Sequence, residues 1–567
     1  MSIPFDPPRV AYVASGELIE YADLLPSNQG RSSLVHSLAY HLDLLDLGGL
    51  EKDDRGIGTS SERNHLLRAV AADGSVEASV DTRRRRATVY LPHAATHQQL
   101  TSYHEDSFVK QLSKGADAGD LEHSHPKRRK LDAEDHPDNR TSSEPEVSDT
   151  SSHASDSSEE LHLRPSSSVS GTRRKRGYKR PRPEKNQFGL QDDCPAFEGL
   201  QQHVSLVAGA AITAAELLAK GQADIAIAWD GGRHHAKKNS ASGFCYVNDV
   251  VLAILSLRKP RKVTVTATVP RDNSIGDDQK KAEGETIRKT IIKRVDRVLY
   301  LDLDLHWGDG VEEAFHSSPN VLTLSIHHYA PGFFPCYAAS SDPNRFTPPG
   351  SLKSDTGAGS KTLNIPLGIG ASDASLERIM SGTVQPLVDA WDPEMIVVQC
   401  GVDGLAGDPM AMWNLSAAAY VEAVQRVLSW NKPTLLLGGG GYNSENAARC
   451  WSLLTAVCLG RFEEASHNKR LRKHVSSSLD EPLPLTEQKQ SEADGTSEVN
   501  KEEVASTSLD QISYKTPIPD HKFWPNYDPT YTLDVPAGEM IDQNDEAHFE
   551  AISKTFTEHI KTATPTQ

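Results

Sequence analysis

Between Phe188 and Arg461 short apolar runs alternate with longer amphipathic ones, and this alternation restricts the fold more than any other feature. Strands are expected at Ile225–Trp229, Arg297–Leu301, Val321–Ile326, Met395–Gln399 and Thr434–Leu437, with helices at Val204–Ala219, Asn248–Leu257 and Ala417–Ser429 between them. Strands that alternate with helices predict a largely parallel sheet covered on both faces, an α/β fold. Upstream, residues 9–13 read as a further strand, and Leu34, Val35, Leu38 and Leu42 fall at helical spacing. Structure is expected again over 87–112, with a helix within TSYHEDSFVKQL. Together these segments predict one large domain over residues 10–461.

That domain is interrupted. The hydrophobic content of 37% lies below the roughly 45–50% of an ordinary globular chain, as polar insertions would make it. Insertions are expected at about 48–85, 114–185 and 259–290, and an acidic one at 463–511, after which residues 512–567 pack back on the domain. The serine- and acid-rich stretch over 114–184 offers too little apolar surface to offset chain entropy, so disorder is expected there. The net charge of −18 hides basic clusters at 83–86, 127–130 and 173–185. Such clusters are as often plain solvated surface. Two that bracket one polar segment favour a nuclear import signal or a nucleic-acid contact. The six cysteines form no C-x-x-C pair, which suggests reduced thiols. The first residues, MSIPFDPPRV, lack a basic and apolar leader. The longest apolar run, 204–219, is broken by Ser205, Thr213 and Glu216 and reads as a core helix, not a membrane span. A soluble intracellular protein is the expectation.

The chemistry gathers where the strands end. In YLDLDLHWGDG (300–310), Asp304 and His306 are two apart, so an extended backbone aims both the same way. Asp403 follows the strand at 395–399, and His234-His235 follow the strand at 225–229. Open α/β sheets hold ligands at the carboxyl ends of their strands. Asp304, His306 and Asp403 would give a catalytic metal three ligands and leave a position for water. Two carboxylates and one imidazole suit Zn2+ or Fe2+. A calcium loop is disfavoured because Trp307 occupies the position that needs glycine. A histidine pair taken alone is more often a satisfied structural feature. His234-His235 lie between Asp230-Gly231-Gly232 and Ser242-Gly243-Phe244, whereas His327-His328 lack such neighbours and read as structural. Four glycines, 438–441, precede Tyr442; they let backbone approach a ligand closely, and a tyrosine there can face a developing oxyanion.

Taken in order, WDGGRHHAKK, SGFCYVNDV, LYLDLDLHWGDGVEEAF, SIHHYAPGFFP, GVDGLAGDPM and GGGGYN resemble the zinc-dependent class I histone deacetylases. The resemblance covers 10–47, 88–112, 188–257, 295–461 and 518 onward. It implies an eight-stranded, mainly parallel sheet between helices, with a tunnel leading to zinc. It also implies hydrolysis of N6-acetyl-lysine to acetate, and work in the nucleus, with the cytoplasm a second location, as a chromatin and transcription regulator. The zinc ligands would be Asp304, His306 and Asp403. His235 resembles the general base and acid, His234 its electrostatic partner, and Asp302 and Asp309 the carboxylates that orient them. Tyr442 would donate to the acetyl oxygen. Gly243, Phe244 and Phe334 resemble the tunnel wall, Met410 a further substrate-binding residue, Asp193 the rim acid that holds substrate amides, and Arg31 an arginine near the acetate exit. Asp302, Asp304, His306, Ser325 and Ile326 match a K+ site.

Departures from the family pattern are informative. Arg233 replaces the bulky apolar residue usually found before the histidine pair, and Asp192 stands at a commonly aromatic rim position. Pro409 and Glu445 stand where members of phosphate-bridged corepressor complexes carry arginines, so an inositol-phosphate corepressor is disfavoured. The subgroup that works without one includes cohesin deacetylases. Acetylated histone tails or an acetylated cohesin subunit are therefore the expected partners, with chromatin contact through the basic insertions. A deacylase of polyamines or longer acyl-lysines, and a catalytically silent chromatin scaffold, are the competing readings. A two-metal ureohydrolase is disfavoured for want of acids.

Overall fold

The computed structural model describes residues 7–47, 60–71, 84–114, 185–269, 285–336, 348–463 and 511–563. In chain order the strands are β1 (Val10–Val13), β2 (Leu45–Asp46), β3 (Ala87–Tyr90), β4 (Ile225–Ala228), β5 (Arg261–Val269), β6 (Glu285–Lys293), β7 (Val298–Asp302), β8 (Val321–His328), β9 (Thr362–Leu367), β10 (Met395–Gln399) and β11 (Thr434–Leu437). Nine of them join in one sheet in the order β2-β3-β1-β4-β11-β10-β7-β8-β9, and every pairing in it is parallel. Every residue of β4 (IAIA), β7 (VLYLD), β10 (MIVVQ) and β11 (TLLL) is buried, as in strands covered on both faces.

The period of two along each strand divides its side chains between two cores. Leu299 and Leu301 of β7 enter the core that receives the helices Arg31–His41, Ala417–Ser429 and Ser444–Cys458 through Leu34, Val421 and Leu453. Val298 and Tyr300 enter the opposite core, beneath the helices Leu200–Ala219 and Asp249–Leu257. Leu200–Ala219 is long and apolar enough to cross a membrane. It lies instead under the sheet, with Leu206, Val207 and Ala210 buried.

The sheet has nine strands where eight are expected; the count includes the two-residue edge strand β2. At the other edge is β9, which the sequence pattern does not single out. Its Pro366 lacks a backbone donor and is tolerated because an edge strand need bond only one neighbour. Within 48–85, residues Ser60–Ala71 form a helix that buries Leu66 and Val70. Within 259–290, β5 and β6 pair antiparallel as a separate two-stranded sheet. Beyond residue 511, Ile512 bonds the backbone of Arg461 and Glu463, Ala417 donates to Val535 O, and the helix Glu546–Ala563 buries Phe549, Ile552 and Phe556. The disorder expected over 114–184 and 463–511, and the basic clusters at 127–130 and 173–184, fall almost wholly outside the described residues. All six cysteines are buried and free of disulfides.

Candidate active site

Four neighbouring strands, β4, β11, β10 and β7, end at one place and set the site. Asp302 closes β7, and the turn beyond it carries Asp304, His306 and then Asp309 at the start of the helix Asp309–Phe315. Asp403 follows β10, Tyr442 follows β11, and His234-His235 follow β4. Ligand atoms of Asp304, His306 and Asp403 lie within 4.8 Å of one another, and all three residues are buried. His306 Nδ1 is 2.9 Å from Asp403 Oδ2 and 3.3 Å from Asp304 Oδ1. Gln399 Nε2 and the Gly440 amide donate to Asp304 Oδ2 at 2.7 and 2.8 Å, and the Leu305 amide donates to Asp403 Oδ1 at 2.9 Å. A Cβ on Gly440 would sit 2.3 Å from Asp403 Oδ2, so only glycine lets the backbone come this close.

The charges on this group fit a divalent cation. Burial and then Asp304 push Asp403 up to about 7. Burial opposes the charge on His306, yet its bonds to Asp304 and Asp403 push it up to about 10. Two buried carboxylates this close favour a positive charge between them, and a divalent cation bound there would displace protons from its ligands. A mixed carboxylate and imidazole set matches Zn2+ in a catalytic site.

The two histidines are braced separately. His234 Nδ1 donates to Asp302 Oδ2 at 2.8 Å, and the same oxygen accepts from Tyr300 OH at 2.6 Å. His235 Nδ1 donates to Asp309 Oδ1 at 2.8 Å, while Lys237 Nζ lies 2.6 Å from Asp309 Oδ2. Their ring centroids are 3.9 Å apart. Burial works against a charge on His234, but Asp302 and Asp304 outweigh it and push the imidazole up to about 9. Burial and the charge on His234 drive His235 down to about 3. The two rings are thus pushed in opposite directions, His234 toward the charged form and His235 toward the neutral one.

Tyr442 is held by its backbone amide, which donates to Asp408 Oδ2 at 2.7 Å. Burial, then Asp403 and Asp304, keep its phenol well above the usual tyrosine range. Phe244 packs edge-on to Tyr442 with centroids 5.7 Å apart, and Phe334 edge-on to His235 at 4.8 Å. Gly243 adopts φ 55°, and a Cβ there would meet the His235 and Phe334 rings at 2.5 and 2.7 Å. Asp193 is exposed and accepts from the Gly243 amide at 2.8 Å; Met410 is half-buried two residues past Asp408. Arg31 is buried beneath the glycine turn and donates to the carbonyls of Gly439 and Gly441. Ser325 pairs in register with Asp302, and Ile326 follows it in the core. The fold therefore brings together every residue singled out for the metal and the two histidines. His327 and His328 are turned away, bonded to Gly350 O and Leu367 O.

Three residues escape a reading of the sequence. Lys237 could have been suspected from its place just past the histidine pair. Gln399 is the one polar residue in MIVVQ, and Tyr300 sits two residues before Asp302 on the same strand face.

Buried acids hold two imidazoles beside a metal-ligand group at the carboxyl edge of a parallel sheet, which defines an α/β protein with a candidate metal site. The histone deacetylase domain model matches residues 62–278 and 286–458. The chain is 34% identical over 382 residues to histone deacetylase 8 of Xenopus tropicalis, covering 67% of this chain and 77% of that protein. It is 33% identical over 378 residues to histone deacetylase 1 of Homo sapiens, covering 66% of this chain and 56% of that protein. The chain belongs to the histone deacetylase family, with the class I enzymes, and is a hydrolytic protein deacetylase.

Proposed function

We propose that the chain hydrolyses N6-acetyl-lysine in nuclear proteins with zinc at Asp304, His306 and Asp403. The observation that carries this reading is the convergence of that group with two separately braced histidines and Tyr442 on one floor. A bound Zn2+ supplies Lewis-acid polarisation of the amide carbonyl and acidifies a water; Fe2+ suits the same ligands. Asp309 fixes the proton of His235 on Nδ1, which leaves Nε2 able to take a proton from the attacking water and pass it to the departing lysine amine. Asp302 stabilises the positive charge of His234, which favours the negative charge that develops on the carbonyl. Tyr442 stays protonated and donates to that oxygen. Gly243, Phe244, Phe334 and Met410 grip the lysine stem, and Asp193 holds the substrate backbone. Arg31 faces the leaving acetate. Asp302, Asp304, His306, Ser325 and Ile326 would hold K+ partly through backbone carbonyls.

The relatives are named for histones, and acetylated histone tails are the first substrate proposed. An acetylated cohesin subunit is the second, because Pro409 and Glu445 bring no positive charge to the place where a phosphate-bridged corepressor would dock. The test is acetate release from an acetyl-lysine peptide by the purified chain, first stripped of metal and then given zinc. Turnover is expected to vanish and return. Zinc bound at the three ligands without turnover on histone or cohesin peptides would overturn the reading.

A further inference from the structure

Two buried arginines lie behind the metal-ligand group, and their surroundings differ. Arg31 is 4% exposed and well satisfied. Its Nη1 donates to Gly439 O at 3.0 Å and Gly441 O at 2.9 Å, and its guanidinium lies 4.8 Å over the Trp451 ring. With the Asn28 amide turned so that its oxygen faces the arginine, Nε, Nη1 and Nη2 also reach that oxygen at 2.9–3.1 Å. Arg233 is 6% exposed, and only its backbone amide is engaged, donating to Asp249 Oδ1 at 2.7 Å. Among the described residues its guanidinium meets no hydrogen-bond acceptor and no ion-pair partner, and its buried Nε is orphaned.

The nearby acids are already engaged. Asp230 pairs with His36 at 2.9 Å, Asp249 accepts the amides of Gly232 and Arg233, and Asp304 accepts from Gln399 and Gly440. Arg233 lines one pocket with Asp304, His235 and Tyr442, and the same pocket is lined by Asn28, the partner of Arg31. Arg233 is thus the guanidinium that lines this pocket, while Arg31 lies outside its lining, and burial followed by the charge of Arg233 brings Arg31 down to about 9. Asp230 and Asp249 feel the charge of Arg233 but neither bonds its guanidinium, and an orphaned buried donor calls for a missing partner. The planar fork of a guanidinium matches a carboxylate in shape and charge.

We propose that Arg233, facing the pocket it lines with Asp304, His235 and Tyr442, forms a carboxylate-binding subsite beside the metal-ligand group. The carboxylate is either the acetate released by the reaction or the far end of a dicarboxylic acyl group on lysine. The proposal rests on the deacylase reading only for the source of that anion; the subsite itself can be measured without turnover.

The test compares the full chain with its Arg233→Leu and Arg233→Lys variants, each zinc-loaded and metal-stripped, since a metal ion can itself hold acetate. Equilibrium binding of isotopically labelled acetate is read by NMR, with acetamide as the uncharged mimic of the same shape. Arg233→Leu is expected to weaken acetate by about 10- to 100-fold, the range for one charge-assisted contact, with Arg233→Lys between and acetamide unmoved. In parallel, kcat/KM is compared for succinyl-lysine and butyryl-lysine peptides, whose acyl chains have equal length and differ in the terminal carboxylate. A fall in that ratio with Arg233→Leu assigns the subsite to the acyl chain; a constant ratio with weakened acetate assigns it to the product. Equal acetate affinity in the parent chain and Arg233→Leu would overturn the proposal, and should that variant not fold, equal affinity in Arg233→Gln would do the same. Loss of turnover with Arg233-dependent acetate binding would instead count against the deacylase reading alone.

Discussion

The chain carries two adjacent histidine pairs, each just past or at the end of a buried strand, and they have opposite uses. His234 and His235 donate through Nδ1 to the carboxylates of Asp302 and Asp309. His327 and His328 face neutral oxygen: Gly350 O and Ser325 Oγ for the first, Leu367 O for the second. A carboxylate holds a positive imidazole, so His234 is pushed up to about 9 against burial. A carbonyl does so only weakly, and burial brings His327 down to about 3. The residue type is the same in both pairs; the carboxylates opposite raise His234 alone, while burial and the charge on His234 hold His235 as low as His327. His235 therefore differs from His327 in having a charged brace and a cationic neighbour.

The comparison breaks first at His235. His235→Ala is expected to lower turnover on an acetyl-lysine peptide by about 10²–10⁴-fold, the usual contribution of a general base, without unfolding the chain. The same change at His327 should lower the melting temperature and leave kcat near the parent value. Equal losses of kcat at the two positions would show that the carboxylates do not set the roles. Tyr442→Phe comes next, with about 10²–10³ lost from kcat as for one oxyanion donor. Near-parent turnover in that variant would remove the phenol from the mechanism.

Much of this site is legible in the sequence because it follows from spacing. Asp304 and His306 alternate on one extended run, and Asp403 follows a strand of nearly continuous apolar residues, so a shared metal can be inferred before any fold is known. The braces are less legible. Asp302 and Asp309 stand out only through the family resemblance. The pairing of Lys237 with Asp309 or Gln399 with Asp304 joins segments brought together by the sheet order, which local pattern does not encode. The fold shows the same limit. Interior strands announce themselves as apolar runs, while β2 has two residues and β9 carries Asn364 and Pro366, so the edges fall below the signal. The helix at Ser60–Ala71 is hidden because its buried positions, Leu66, Val70 and Ala71, are few in a polar stretch.

A smaller effect sharpens the role of the braces. Asp309→Asn keeps the shape of the partner of His235 but removes its charge, and should cost about 10–100-fold in activity, as for groups that orient catalytic side chains. The pH profile of kcat/KM should move with it, because the proton on the imidazolium loses its counter-charge. A drop in kcat with an unmoved profile would reduce Asp309 to a structural post for the loop.

The smallest effect concerns the structural pair and has a definite sign. His327 is held neutral when folded, down to about 3 by burial, against an unfolded value near 6.5. Between those values the unfolded chain takes up a proton that the folded chain refuses, so this contribution is complete above pH 6.5 and declines as pH falls toward 3. His104 and His203, brought down to about 4 by burial, act in the same direction. His327 alone should account for on the order of 2 kcal/mol of lost stability between pH 6.5 and 5. In metal-free protein, His234 has the opposite slope, its contribution being complete below pH 6.5 and lost as pH rises through about 9. Chemical denaturation of His327→Gln across pH 7.5 to 5 separates the two. The variant should start less stable at pH 7.5, since a buried hydrogen bond is disturbed, and then lose stability with acid less steeply than the parent. A slope as steep as the parent's would mean that His327 takes up its proton equally in the folded and unfolded chain, and the contrast between the two pairs would then lie in geometry and not in charge.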